Sequence, residues 1–241
     1  MCPPFPSSLT VQEGGHAGPP LQVFRTIQSR IMNEPKHQYN EESLDEQTVD
    51  RDPLQLFQRW LAEAKAAGIH LAEAMTLATS TTEGKPSARL VLLKQTDEDG
   101  FVFYTNYNSL KARELDSNPQ AALVFYWPQL ERQVRVEGKV ERTPATESDA
   151  YFKTRPRDSQ IGALASPQSD VIASREALQQ KAGELEKFYE GREVERPENW
   201  GGYRLHAERI EFWKGRPGRL HDRILYDRQA GGSWSIKRLA P

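Results

Sequence analysis

The sequence predicts a mainly β fold of the α+β class, an antiparallel barrel with its helices packed outside. Two observations carry that reading. From Ala74 onward apolar residues recur with period two in many short runs, and turns rich in Gly, Pro and Asp join those runs closely. Separate stretches of helical period stand before and between them, which places the helices around the strands. At 241 residues the chain is long enough for one sizeable domain and short for two.

Residues 1–38 are rich in Pro, Gly and Ser without a sustained period, which predicts a mobile tail ahead of a folded domain over 39–241. Asp52 is a good helix N-cap and Pro53 suits the first helical position. Leu54, Phe57, Leu61 and Ala64 then share one face of a helix that Gly68 ends. Met75–Thr79, Ser87–Lys94 and Phe101–Thr105 read as strands joined at Glu83-Gly84-Lys85-Pro86 and Asp97-Glu98-Asp99-Gly100, and links so short predict an antiparallel meander. Asn108 or Ser109 caps a short helix that Asn118-Pro119 terminates, and Ala121–Trp127 with Gln133–Val140 makes a further strand pair. Helices are expected over about 144–154, 158–165 and 174–190, the last capped by Ser174 and stopped near Gly191. Strands over about 203–213, 219–227 and 233–238 close the chain, and no internal repeat is visible.

Composition narrows the function. Lys plus Arg (32) nearly balance Asp plus Glu (34), which argues against a general nucleic-acid or membrane-surface binder and leaves anion binding to local clusters. The only cysteine, Cys2, excludes an internal disulfide and a multi-cysteine metal site. His16, His37, His70, His206 and His221 show no metal-ligand spacing, so no metal is expected. No apolar run approaches the length of a membrane span and the start lacks a secretory pattern, so a cytoplasmic protein is expected.

One local cluster lies near the C-terminus. Apolar-patterned runs flank a Gly-Pro-Gly segment between Gly215 and Gly218, which reads as strand, tight loop, strand. Alternation on the second strand puts Arg219, His221 and Arg223 on one face. Neighbours two apart on a strand lie about 7 Å from each other, so like charges there repel by roughly 2 to 3 kcal/mol at an effective dielectric near 20. Spacing alone leaves two readings open: a solvated sheet edge, or a row facing an anion such as phosphate, which arginine grips through its planar fork. Lys214-Gly215-Arg216-Pro217-Gly218-Arg219 also resembles a minor-groove DNA hook, but such hooks sit in disordered basic tails and this one is bracketed by apolar strands.

Other segments carry similar ambiguity. No G-x-G-x-x-G stands between a strand and a helix and no nucleotide-hydrolase phosphate loop is present, so strands and side chains must hold any flavin. Arg89-Leu90-Val91-Leu92-Leu93-Lys94 reads as a core strand ended by cations, and Tyr104-Thr105 precedes Ser109-Leu110-Lys111. Gln133, Arg135 and Glu137 share a strand face, as a polar contact row or a cross-strand pair. Tyr151 and Arg155 are four apart on a predicted helix, and Ser159 is placed to cap the next helix, whose N-terminus attracts phosphate. Taken alone, this last segment reads first as a helix-loop-helix with solvated charges.

Phe212-Trp213-Lys214-Gly215-Arg216-Pro217-Gly218-Arg219-Leu220-His221-Asp222-Arg223, the terminal Arg238-Leu239-Ala240-Pro241 and the segments above together resemble the pyridoxine/pyridoxamine 5′-phosphate oxidase family, over roughly Tyr39 to Pro241. The resemblance implies an FMN-binding split β-barrel and a homodimer with FMN at the interface. It also implies oxidation of pyridoxine 5′-phosphate and pyridoxamine 5′-phosphate to pyridoxal 5′-phosphate, with dioxygen as final oxidant and hydrogen peroxide as by-product. By the same resemblance FMN meets Arg89, Leu90, Val91, Leu92, Tyr104, Thr105, Lys111, Gln133, Gln168, Ser169, Trp213 and Arg223. Substrate meets Lys94, Tyr151, Arg155, Ser159, Arg219, Leu220 and His221, with Lys36 and Tyr39 closing over it. Arg219 and His221 are the catalytic candidates, for orientation and proton handling. The chain departs from the family at Lys36, where arginine is common, at Lys214, where a polar residue is usual, and at Leu110, which replaces the arginine of Ser-Arg-Lys. The last change removes a charge-assisted bond to phosphate, a loss of about 1.5 to 3 kcal/mol if nothing replaces it. The alternative function is a protein of the same fold that holds FMN or pyridoxal phosphate without turnover, and aerobic peroxide release separates the two.

Overall fold

Asp52 starts a helix as expected: its Oδ1 accepts from the Leu54 N–H at 2.9 Å and Pro53 follows at the first helical position. The computed structural model describes residues 43–241, so Lys36, Tyr39, the tail over 1–38 and the boundary at 39 lie outside the described residues. Helix α1 (Pro53–Ala66) buries Leu56, Phe57, Trp60 and Ala64, while Leu54 and Leu61 are only half-buried. The face is rotated from the predicted one because the large rings claim the core side. Trp60 meets Phe212 edge-on at 5.2 Å, and Phe57 meets Phe101 at 4.9 Å and Phe125 at 4.8 Å.

Among the described residues nine strands follow: β1 (Ala74–Ser80), β2 (Pro86–Leu92), β3 (Gln95–Asp97), β4 (Gly100–Asn106), β5 (Gln120–Trp127), β6 (Arg132–Arg142), β7 (Trp200–Lys214), β8 (Asp222–Arg228) and β9 (Trp234–Arg238). Between them lie α2 (Leu110–Ser117), α3 (Ala145–Thr154), α4 (Arg157–Ala165) and α5 (Arg175–Phe188). All pairings are antiparallel, in the order β2-β1-β5-β6-β7-β4-β3, with β8 on β7 and β9 on β8.

This order corrects the meander expected from the short links. β2 pairs with β1, but β4 pairs with β3 and β7. β4 is buried on nearly every residue, so it needs neighbours on both edges and cover on both faces. The chain reaches it by a crossing at two adjacent residues: Leu93 N–H bonds Glu73 O at 3.0 Å, and Lys94 N–H bonds Val102 O at 2.8 Å. One step of backbone thus joins opposite ends of the strand order and draws the sheet into a barrel. Leu77, Phe101, Phe103, Leu123, Phe125, Val134, Val136, Phe212 and Ile224 fill it, and a second cluster of Phe152, Ile161, Val194 and Trp200 lies under α3 to α5.

Two local expectations fail for local reasons. α3 ends at Thr154, and Arg155 is extended (φ −72°, ψ 146°) because it precedes Pro156, so it is not a helical neighbour of Tyr151. Helix α4 begins at Arg157 with Pro156 in the cap position, which puts Ser159 inside the first turn and not at the cap. In the C-terminal segment, Pro217–Arg219 forms a 3-10 turn in which Gly218 (φ 67°) and Arg219 (φ 62°) are left-handed. The strand starts only at Asp222, so the row of Arg219, His221 and Arg223 on one strand face does not form.

Candidate active site

A cavity of about 570 Å³ opens where β2 and β4 meet α2, α3 and the start of α4. Its lining gathers most of the residues singled out in the sequence: Arg89, Leu90, Val91, Leu92, Lys94, Tyr104, Thr105, Lys111, Tyr151, Arg155, Ser159 and Gln168. Thr154, Pro156 and Trp200 complete it, so among the described residues the lining holds two arginines, two lysines and no carboxylate.

At one end the Lys111 ammonium donates to Thr105 Oγ1 (3.2 Å), Ser109 Oγ (3.3 Å) and Gln168 Oε1 (3.0 Å). Burial, and then the charge of Arg89, push its pKa down to about 8. β1–β2 register places Thr79 opposite Ser87, and Arg89 follows two residues on along the same face. Arg89 donates to both hydroxyls and, at 3.2 Å, to Glu114 Oε2 on α2. Burial alone would raise the Glu114 carboxyl, but hydrogen bonds from Ser87, Thr79 and Arg89 hold it below the usual carboxylate value. Glu114 therefore anchors Arg89 from behind, outside the cavity lining.

Aromatic rings wall the other end. Tyr104 stacks on Tyr151 at 4.1 Å and on Trp200 at 5.4 Å. The Arg155 guanidinium lies 4.5 Å from the Trp200 ring centre, while its Nη1 is buried with no hydrogen-bond partner. Desolvation lowers the pKa of Arg155. A buried donor without an acceptor is uncommon and suits an anionic ligand. Lys94 Nζ stands 5.9 Å from the Tyr151 ring centre, at the mouth.

The C-terminal candidates form a separate group. Gln133, Trp213 and Arg223 lie directly opposite one another on β6, β7 and β8 and so share a face. Arg223 is paired with buried Glu211, Nε to Oε1 at 2.8 Å and Nη2 to Oε2 at 3.1 Å, and Arg135 joins at 3.3 Å. The His221 ring packs on Trp213 at 4.6 Å, and Arg219 and Leu220 are exposed in the turn. None of these lines the cavity; Ser169, held at φ 76°, does not either. Leu110 heads α2, partly exposed and also outside the lining.

Sequence reasoning missed Trp200 and Glu114. Trp200 is followed by Gly201, where a Cβ would overlap the Tyr107 hydroxyl, and an aromatic residue beside paired glycines was the available signal of close packing. Glu114 carried no such signal, since its role depends on which strand α2 covers. Among the described residues no cluster of His, Cys, Asp and Glu could hold a metal, and no helix is long and apolar enough to cross a membrane.

Residues 61–189 match the profile of the family described as Pyridoxamine 5′-phosphate oxidase, and residues 200–241 match that described as Pyridoxine 5′-phosphate oxidase C-terminal dimerisation region. A curated relative from Rubrobacter xylanophilus, named Pyridoxine/pyridoxamine 5′-phosphate oxidase, is 56% identical over 206 residues, 86% of this chain and 94% of the relative. One of the same name from Burkholderia lata is 55% identical over 205 residues, 84% of this chain and 95% of the relative. Among solved structures, PhzG from Burkholderia lata 383 in complex with tetrahydrophenazine-1-carboxylic acid superposes with a TM-score of 0.80 at 32% identity, covering 84% of this chain and 99% of that one. A pyridoxamine 5′-phosphate oxidase-related, FMN binding protein from Nostoc punctiforme shares the fold, with a TM-score of 0.64 at 18% identity over 80% of this chain and all of that one (100%). The curled sheet is the split barrel of these structures.

Proposed function

The chain belongs to the pyridoxamine 5′-phosphate oxidase family, and from that premise we propose that it oxidises pyridoxine 5′-phosphate and pyridoxamine 5′-phosphate to pyridoxal 5′-phosphate as an FMN-dependent homodimer. The observation that carries the reading is the charge of the cavity: Arg89, Lys94, Lys111 and Arg155 converge without a carboxylate beside an aromatic wall. Such a lining suits two phosphates and a flat ring. Lys111, Arg89, Thr105 and Gln168 would hold the flavin phosphate; Lys94, Tyr151, Arg155 and Ser159 would hold that of the substrate. The orphaned Arg155 Nη1 fits this assignment, because a phosphate oxygen satisfies it.

FMN, held by Arg89, Thr105, Lys111 and Gln168, would supply the hydride acceptor for C4′ and the route of those electrons to dioxygen, with hydrogen peroxide as by-product. The chain's own work is to anchor, orient and shield. Tyr104, Tyr151 and Trp200 exclude water from one wall, and the Glu114 bond keeps the Arg89 fork aimed. Gln133, Trp213, Arg219, His221 and Arg223 would complete the site from the second subunit, since in one chain they stand apart from the cavity and all but Gln133 fall within the residues matched to the dimerisation region.

A phenazine-type reaction is the rival that the PhzG likeness raises. The chain is 55% identical to the Burkholderia lata oxidase and 32% identical to PhzG of that species, and a lining of four cations favours a phosphorylated substrate. Purified protein incubated in air with FMN and pyridoxamine 5′-phosphate should yield pyridoxal 5′-phosphate and peroxide in equal amounts. Tight binding of both ligands without either product would leave a carrier of the same fold and sink the oxidase reading.

A further inference from the structure

The geometry points to the Arg216 peptide as the group that fixes which nitrogen of His221 carries its proton, making His221 a hydrogen-bond donor through Nε2 and not the base of the reaction. This rests on the proposed placement of His221 against the substrate. The Arg216 N–H donates to His221 Nδ1 at 3.1 Å. An imidazole nitrogen that accepts must present its lone pair, so the neutral ring carries its hydrogen on Nε2.

The loop that makes this bond is held on both sides. Gly215 N–H bonds Glu131 O at 2.8 Å, and Leu220 N–H closes on Pro217 O at 3.3 Å. Two consecutive left-handed residues, Gly218 and Arg219, turn the chain so that residue 221 comes back under residue 216. Trp213 packs on the imidazole with rings tilted by 43°, which limits rotation of the ring. Next in sequence, Asp222 is tied by Arg238 Nη1 at 2.8 Å and by the Leu44 N–H at 3.2 Å. Tautomer and ring direction are both set within a single chain, before any ligand arrives.

The chemistry follows from the proton count. Oxidation at C4′ removes a hydride from carbon and a proton from the attached hydroxyl or ammonium. A neutral His221 cannot take that proton at Nε2, which already bears one, and taking it at Nδ1 would mean giving up the Arg216 bond. What Nε2–H can meet is an acceptor, an oxygen anion of the substrate: its phosphate or its ring phenolate. His221 then contributes binding and orientation, while Arg216 acts only through it as a positioning group.

Two measurements on the FMN-loaded protein test this. Nitrogen-15 NMR of histidine-labelled enzyme should show an unprotonated Nδ1 and a protonated Nε2 for His221; the opposite pattern, or exchange between both tautomers, overturns the assignment. In parallel, affinity for pyridoxal 5′-phosphate is compared among variants. Glutamine places its amide nitrogen near the Nε2 position and asparagine near Nδ1, so His221→Gln should bind at least about tenfold more tightly than His221→Asn, which should fall to the level of His221→Ala. Asparagine equal to or better than glutamine overturns the donor role, as do three variants that all bind like wild type. Repeating the comparison with unphosphorylated pyridoxal identifies the acceptor: the gap between Gln and Asn closes if it is the phosphate and persists if it is the phenolate. Failure of the oxidase reading itself would look different, as wild-type protein that binds flavin and pyridoxamine 5′-phosphate yet releases neither pyridoxal 5′-phosphate nor peroxide in air.

Discussion

Lys111 gives the proposed flavin site a pH dependence whose sign and size follow from its surroundings. Burial and the neighbouring Arg89 push its pKa down to about 8 from an ordinary 10.5. A phosphate monoester is essentially dianionic above pH 7, its second pKa being about 6, and a dianion beside Lys111 restores the charged amine. Below pH 8 the amine is already protonated and binding takes up no proton. Above pH 8 each binding event takes up one, which weakens Kd by about tenfold per pH unit, or about 1.4 kcal/mol. Flavin fluorescence quenching should therefore give a flat Kd up to about pH 8 and a value about tenfold weaker at pH 9. Lys111→Arg, which stays charged throughout, should flatten the slope even if its absolute affinity differs. The flavin-free fold should show the opposite trend. Unfolded Lys111 keeps its proton up to its ordinary pKa of 10.5, so the cost of burying the charge is present in full below about 8 and fades as pH rises between those values. A Kd independent of pH between 7 and 9.5, or an equal slope in Lys111→Arg, would refute the reasoning.

Arg155→Lys keeps a charge but loses the fork and the stack on Trp200, so KM for the phosphorylated substrate should rise about tenfold with flavin content retained; unchanged KM would remove Arg155 from the phosphate subsite. Leu110 lies outside the cavity lining, so Leu110→Arg should tighten FMN by no more than about threefold, a solvent-screened charge effect; a tenfold gain would show that the phosphate reaches the head of α2. Arg219→Ala and His221→Ala should raise KM or lower turnover with flavin intact. Arg223→Ala should lower flavin occupancy and, by leaving buried Glu211 to Arg135 alone, cost about 1 to 3 kcal/mol of stability; thermal melts and absorbance on the same preparations decide. Sedimentation should give a dimer with two flavins, and a flavin-saturated monomer would refute the shared site.

Legibility tracked the range of the interaction. The Asp52-Pro53 helix start and the period of the longer strands are local, and both were readable; the three-residue β3 (Gln95–Asp97), too short to show a period, was not. Strand order was not, because it hangs on Leu93 and Lys94 bonding to opposite ends of the sheet, a contact that no turn signal encodes. Arg155 shows the middle case: helical spacing from Tyr151 suggested one face, but the following Pro156 already forbade the helix from continuing, and the pre-proline rule should have outranked the spacing. Both residues still line the cavity, brought together by the stack on Trp200 and not by helical periodicity. Glu114 reads as an ordinary surface carboxylate in Leu110–Ser117 and acquires its role only when α2 covers β1 and β2.

The separation of the two groups of candidate residues is itself informative. Gln133, Trp213 and Arg223 occupy one cross-strand row, with Val134, Phe212 and Ile224 beneath them in the core, so the row is on the outer face of the barrel. The cavity residues come from β2, β4, α2 and the helices after β6, at another part of the same barrel. A barrel wall packed with Phe and Val cannot pass a ligand, and the short turn at Pro217–Arg219 has no slack to carry Arg219 or His221 to the cavity of its own chain. Each group has one arginine anchored by a carboxylate of its own chain: Glu211 holds Arg223, and Glu114 holds Arg89. If both groups serve one FMN, the two must come from different copies of the chain, and the symmetry of a two-fold dimer then builds the second site from the halves left over.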